Sequence, residues 1–144
     1  GPERAHLEEL AQELGVSEKV IFVGLQPPEV VAAILKQADI FTLPSYHFDN
    51  QPMSILEAIA SGLPVVYCDE KLTEGLGDDN ALLTDGIEGV HFARAFDELL
   101  ADDKRRAAMT QASLKRSKQF DREVLANRLV RSYEIVSEAK RELS

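Results

Sequence analysis

The residues best suited to chemistry in this chain lie in one stretch, Pro44 to Val66, where Asp49 precedes an expected helix and Glu57 falls inside it. Glu57 is bracketed by Ile55, Leu56, Ala58, Ile59 and Ala60. Some of its surroundings should therefore be buried, and a carboxylate there needs a partner because desolvating an unpaired charge is costly. Ribose hydroxyls could supply that partner by donating hydrogen bonds. Asn50 is a candidate cap for the same helix, with Pro52 in its first turn, so that N–H groups and the positive dipole end would face a ligand. A diphosphate would be stabilised there. Plainer readings stand beside these: Asp49 as an ordinary cap, Glu57 paired with a nearby cation or reaching solvent, and Tyr46 and His47 as loop packing.

Those residues must be held by a scaffold, and the chain supplies a repeated one. Leu7, Leu10, Ala11 and Leu14 fall at helical spacing from about Glu3 to a stop at Gly15. The continuous apolar run Val20-Ile21-Phe22-Val23 follows, as expected of a strand buried on both faces. Pro27-Pro28 opens a second helix, about Glu29 to Gln37, with Val30, Val31, Ile34 and Leu35 turned inward, before a second run, Ile40 to Leu43. A third helix, about Pro52 to Ser61, stops at Gly62 and leads to the run Val65 to Cys68. A long polar loop then reaches a fourth run, Ala81 to Thr84. The remainder reads as helix over about 90–100, 104–119 and 121–143. Alternating strands and helices with short connections predict parallel pairing in an α/β layer fold, with ligands bound beyond the carboxyl ends of the strands.

Composition narrows the partners. Across 144 residues the formal net charge is -9, which argues against non-specific contact with nucleic acid or an anionic membrane surface. Phosphate would have to be bound by backbone N–H groups. The lone Cys68 excludes an internal disulfide framework and a cysteine-based zinc cluster, and His6, His47 and His91 show no metal-ligand spacing. No metal site is expected, and the cytoplasm is the default compartment. No apolar run approaches the roughly 20 residues of a membrane helix, so direct membrane insertion by this chain is not expected.

The string Glu57-Ala58-Ile59-Ala60-Ser61-Gly62-Leu63-Pro64-Val65-Val66, preceded by Pro44-Ser45 and by Asp49 at the first position of an acid-x7-Glu pair, resembles the signature of the large family 4 (group 1) retaining glycosyltransferases. Supporting matches are Leu7-Glu8-Glu9-Leu10-Ala11, Val20-Ile21-Phe22-Val23-Gly24 and Ala38-Asp39-Ile40-Phe41, in the family's order. The resemblance spans essentially the whole chain. It implies the C-terminal, Rossmann-like half of a GT-B enzyme, which holds a nucleoside-diphosphate sugar while an N-terminal domain holds the acceptor. Glu57 would then bond the donor ribose hydroxyls, and Asp49, as the catalytic-site acid, those of the transferred sugar. N–H groups near Asn50, Gln51 and Met53 would face the sugar and diphosphate, and Gly24 and Leu25 would border the base pocket. The nucleotide sugar is substrate, and neither metal nor other cofactor is implied.

The chain departs from the family pattern in carrying Asp49 where glutamate is usual, and Asn50-Gln51-Pro52 where Gly-Phe-Gly is frequent. Asn-x-Pro at this place resembles a branch concerned with surface polysaccharides. The first two strands of the domain, with an Arg and a Lys for the diphosphate, have no counterpart. The expectation is one N-terminally incomplete domain over 1–144, in which other residues of the same protein fill the sheet or the runs at Val20 and Ile40 pair directly. Residues of about 121–143 would form a helix that is most simply core, part of which docks on the partner domain. Peripheral contact with the inner membrane face would come through that domain. The competing readings are a non-catalytic Rossmann-like interaction module, which would bind no nucleotide, and a GT-B epimerase or phosphorylase, distinguished by its products.

Overall fold

The computed structural model describes residues 1–47 and 52–142. It divides into two compact units, Gly1–Val31 and Ala32–Ser144.

In the first unit, α1 (Arg4–Glu13) ends at Gly15, whose φ of +67° suits a residue without Cβ. The Gly15 N–H reaches the Gln12 carbonyl and the Val16 N–H the Ala11 carbonyl, each at 2.9 Å, which satisfies carbonyls the helix end would orphan. After a 3-10 turn at Ser17–Lys19, the run Val20 to Val23 is extended at its start, with Val20 at φ -109° and ψ 123°. It forms no strand among the described residues. The expectation of a strand buried on both faces is therefore corrected: Ile21 is 85% and Val23 49% exposed. An apolar run sets a preference for extended backbone, whereas a strand also needs a ladder partner, and none is present for this run among the described residues. The Arg4 guanidinium lies over the Phe22 ring at 5.7 Å. In α2 (Pro28–Leu35) Val31 and Leu35 are half-buried, while Val30 and Ile34, expected inside, are exposed.

The second unit is a parallel sheet in the order β1 (Phe41–Leu43), β2 (Val65–Tyr67), β3 (Ala81–Leu83). Phe41 stands opposite Val65, and Val65 opposite Ala81. Successive strand residues point to opposite faces, and the central strand buries both. Val65 packs with Ile55, Ala58, Ile59, Leu63, Leu72 and Leu76, whereas Val66 packs with Cys68, Phe92, Ala95, Leu99 and Met109. The first group is carried largely by α3 (Met53–Ala60), the second by α4 (Gly89–Leu100) and α5 (Asp103–Ser117). A 3-10 turn at Lys118–Phe120 leads into α6 (Arg122–Glu142). The core assignment of that last helix does not hold for its described side chains: Leu125, Leu129, Val130, Tyr133 and Ile135 are all exposed. The layer α/β fold and the carboxyl-edge placement of the β1 and β2 loops agree with the sequence reading.

Candidate functional site

Helix α3 carries two faces, and their spacing explains both. Ile55, Ala58 and Ile59 are at most 1% exposed and form its core face. Met53, Leu56, Glu57 and Ala60, three and four residues apart, share the other. That face lines a cleft of about 270 Å³, closed by Ser117, Phe120 and Asp121 from the corner between α5 and α6. Phe120 also packs on the core that α3 helps form, so one aromatic ring serves as both floor and wall.

Glu57 is exposed, and its carboxylate has no hydrogen-bond or ion-pair partner among the described residues. Burial therefore does not dictate a partner for it, contrary to the expectation drawn from its apolar sequence neighbours. Of those neighbours Ile55, Ala58 and Ile59 point to the core, while Leu56 and Ala60 share the other face with Glu57. Among the described residues the cleft carries two carboxylates, Glu57 and Asp121, and no cation. Such a lining suits hydroxyl groups that donate hydrogen bonds, and repels phosphate.

The amino end of α3 also differs from expectation. Pro52 holds the cap position, with φ -67° and ψ 124°, so Asn50 does not, and the first helical residue is Met53. Proline's fixed φ fits this half-in position, and its side chain supplies no cap hydrogen bond. Asp49, Asn50 and Gln51 lie outside the described residues. Gly24 and Leu25 belong to the first unit. Gly24, at φ +66°, lines a separate cavity of about 360 Å³ with Arg4, Leu7 and Phe22, while Leu25 is fully exposed.

The loops leaving β1 and β2 are tied together by a residue that sequence reasoning noted only as part of a polar loop. Asp69, 1% exposed, accepts the His47 N–H at 2.7 Å through Oδ2 and the Lys71 N–H at 3.0 Å through Oδ1. The His47 amide, then that of Lys71, hold its carboxyl below the ordinary carboxylate value. His47 has φ +62°, the only described non-glycine residue at positive φ, and its ring stacks on Tyr46 at 4.0 Å. Burial, then the charge of Asp69, pushes the Cys68 thiol up, so this sulfur is a poor nucleophile at neutral pH. The loop before β3 is held by Asn80, fully buried, whose amide bonds Gly75, Gly77 and Ser113. Ser113 in turn donates to the Leu63 carbonyl at 2.8 Å.

Among the described residues no group of three or more His, Cys, Asp or Glu is placed to hold a metal ion, and no helix is long and apolar enough to cross a membrane.

The family described as Glycosyl transferases group 1 matches residues 1–116. D-inositol 3-phosphate glycosyltransferase of Corynebacterium urealyticum is 36% identical over 132 residues, 88% of this chain and 30% of that protein. The protein of the same name from Nocardia farcinica is 36% identical over 129 residues, 88% of this chain and 28% of its own length. The chain thus spans about 30% of the length of the curated relatives it matches. Among solved structures, sucrose-phosphate synthase from Thermosynechococcus elongatus superposes with a TM-score of 0.81 at 25% identity, over 96% of this chain and 35% of that one.

Proposed function

The chain belongs to the group 1 glycosyl transferases, and from that premise we propose that it binds the nucleoside-diphosphate sugar of a retaining GT-B enzyme. The observation that carries this reading is the cleft on α3, where Glu57 presents a carboxylate without a partner among the described residues, beside Met53. A lining with two carboxylates and, among the described residues, no cation fits a ribose better than a diphosphate. The diphosphate is then assigned to the amino end of α3, where N–H groups from Met53 onward and the helix dipole stabilise negative charge. Asp49, Asn50 and Gln51, immediately upstream in sequence, are assigned to the transferred sugar, with Asp49 bonding its hydroxyls. Gly24 and Leu25 are assigned to the base pocket.

In the proposed reaction the bond from the sugar's anomeric carbon to the diphosphate oxygen breaks, and one to an acceptor hydroxyl oxygen forms on the same face. The acceptor proton leaves with the diphosphate. Leaving-group charge is assigned to the helix N–H groups at the amino end of α3, and neither metal nor other cofactor is assigned. The transferred group is a hexose, surface polysaccharide or glycoconjugate synthesis is the setting that the Asn-x-Pro segment supports, and the cytoplasm is assigned as the default compartment for a chain with one cysteine. The acceptor belongs to an N-terminal domain, against which the exposed stripe of α6 docks; peripheral membrane contact is assigned to that domain.

The test is calorimetric titration of the full-length protein with UDP, GDP, UDP-glucose and GDP-mannose, in parallel with Glu57→Ala. One nucleotide should bind, and its affinity should fall about tenfold or more when the charged acceptor for its ribose is removed. Binding unchanged in the variant would remove Glu57 from the site, and binding of none would favour a non-catalytic module.

A further inference from the structure

We propose that Asp121 is a second ribose-binding residue, accepting one of the two vicinal hydroxyls from the α5–α6 side of the cleft while Glu57 accepts the other from α3. The inference rests on the donor-site reading above and adds to it a residue from a distant part of the chain. Asp121 immediately precedes α6 and is extended there, with φ -58° and ψ 141°. An aspartate at the start of a helix ordinarily turns its side chain back to accept an N–H two or three residues further on. The Asp121 backbone takes its part in the helix start, its carbonyl accepting the Leu125 N–H at 3.0 Å. Its carboxylate, however, accepts no such bond among the described residues, and Asp121 lines the cleft instead.

The rest of the lining points to the same ligand. Ser117 donates its proton to the Leu114 carbonyl at 3.0 Å, so what its oxygen offers the cleft is lone pairs. With Glu57 on one element and Asp121 on another, the ligand has to bring the donors. The remaining lining residues, Met53, Leu56, Ala60 and Phe120, present apolar groups. A ring with hydroxyls on one edge and C–H groups on its faces fits both kinds of surface, whereas a phosphate fits neither. At about 270 Å³ the cleft falls below the roughly 300–1,000 Å³ of pockets that enclose a whole drug-sized ligand, so it takes one ring of the nucleotide sugar. The wall itself is held in place by Phe120. Gly75 approaches that ring so closely that an added Cβ would meet it at 3.3 Å, and Phe120 in turn fixes the residue that follows it.

The experiment titrates UDP or GDP, whichever binds, and its 2′-deoxy and 3′-deoxy analogues into the full-length protein as wild type, Asp121→Ala, Asp121→Asn and Glu57→Ala. Asp121→Ala should weaken the parent nucleotide about tenfold or more, as expected for the loss of a hydrogen bond to a charged acceptor. The analogue that lacks the hydroxyl held by Asp121 should bind this variant within about twofold of its affinity for wild type, since the contact is already gone. The other analogue should lose as much as the parent, and Glu57→Ala should show the converse pattern. Asp121→Asn keeps an acceptor without its charge and should fall between wild type and Asp121→Ala; it shows the same analogue pattern and decides the matter if Asp121→Ala fails to fold. An equal loss for all three nucleotides would mean that Asp121 acts through the fold, and unchanged or tighter binding in Asp121→Ala would mean that its carboxylate meets no hydroxyl. Either result overturns the proposal, while a loss of binding in Glu57→Ala would leave the donor-site reading standing. Failure of the wild-type protein to bind either nucleotide would overturn both.

Discussion

At the scale of single residues, Asp69 links charge to stability in a way that pH can reveal. Its folded-state value lies below the ordinary 3.8 because the His47 and Lys71 amides stabilise the ionised form. The stabilisation is fully present above the unfolded value and is lost as pH falls through the lower folded one. Thermal unfolding followed from about pH 7 to about pH 2.5 should show wild-type stability falling below pH 4, and a shallower fall in Asp69→Asn. Parallel curves would show that the carboxylate makes no difference between the folded and unfolded states. The sequence made Glu57 visible because its string of neighbours is distinctive, but it could not show which side of the turn the carboxylate occupies. It also left Ser117, Phe120 and Asp121 unseen, since a cleft wall supplied sixty residues away leaves no local pattern. Asp69 did leave one: an acid directly after a buried apolar run must find donors if it is buried itself.

At the scale of elements, what joins α3, β2 and α5 is a buried polar chain. Asn80 bonds Ser113, and Ser113 bonds the Leu63 carbonyl, so the loop before β3 and the turn after α3 share one set of partners. Asn80→Ala strands the Gly77 N–H and the Gly75 carbonyl, and urea denaturation should register a loss of about 1–3 kcal/mol. A loss under half of that would mean water replaces the amide. At the end of α3, Gly62 sits at φ +81°, and an added Cβ would meet Thr110 at 3.2 Å. Gly62→Ala should therefore cost about 1–2 kcal/mol for the left-handed backbone alone, measured in the same way. The three paired strands and the helices were legible because hydrophobic period and glycine stops coincide there. Val20 to Val23 carries the same apolar signal as Val65 to Cys68, yet only the second run forms a strand, because pairing depends on a neighbour and not on the run itself. Period likewise placed Val30 and Ile34 inward, but a helix face is buried only where something covers it.

At the scale of the whole molecule, the feature that the core does not absorb is α6. Leu125, Leu129 and Tyr133 recur every fourth residue on one side of the helix, with exposures of 47%, 58% and 69%. Contiguous apolar surface of this kind marks a contact surface, and the donor-site reading assigns it to the acceptor domain. The combined substitutions Leu129→Glu and Tyr133→Glu should leave the unfolding free energy of the 144-residue chain within about 0.5 kcal/mol, as for exposed positions generally. In the full-length protein the same pair should lower the unfolding temperature of the acceptor domain and reduce kcat, because closure between domains completes such a site. The comparison separates three situations. Loss of stability in the 144-residue chain would mean that the stripe packs within it. A sedimentation coefficient of the full-length protein that rises with concentration, and stops rising in the variant, would assign the stripe to a second copy of the protein. Unchanged behaviour in both proteins would leave the helix as plain surface and remove the docking assignment.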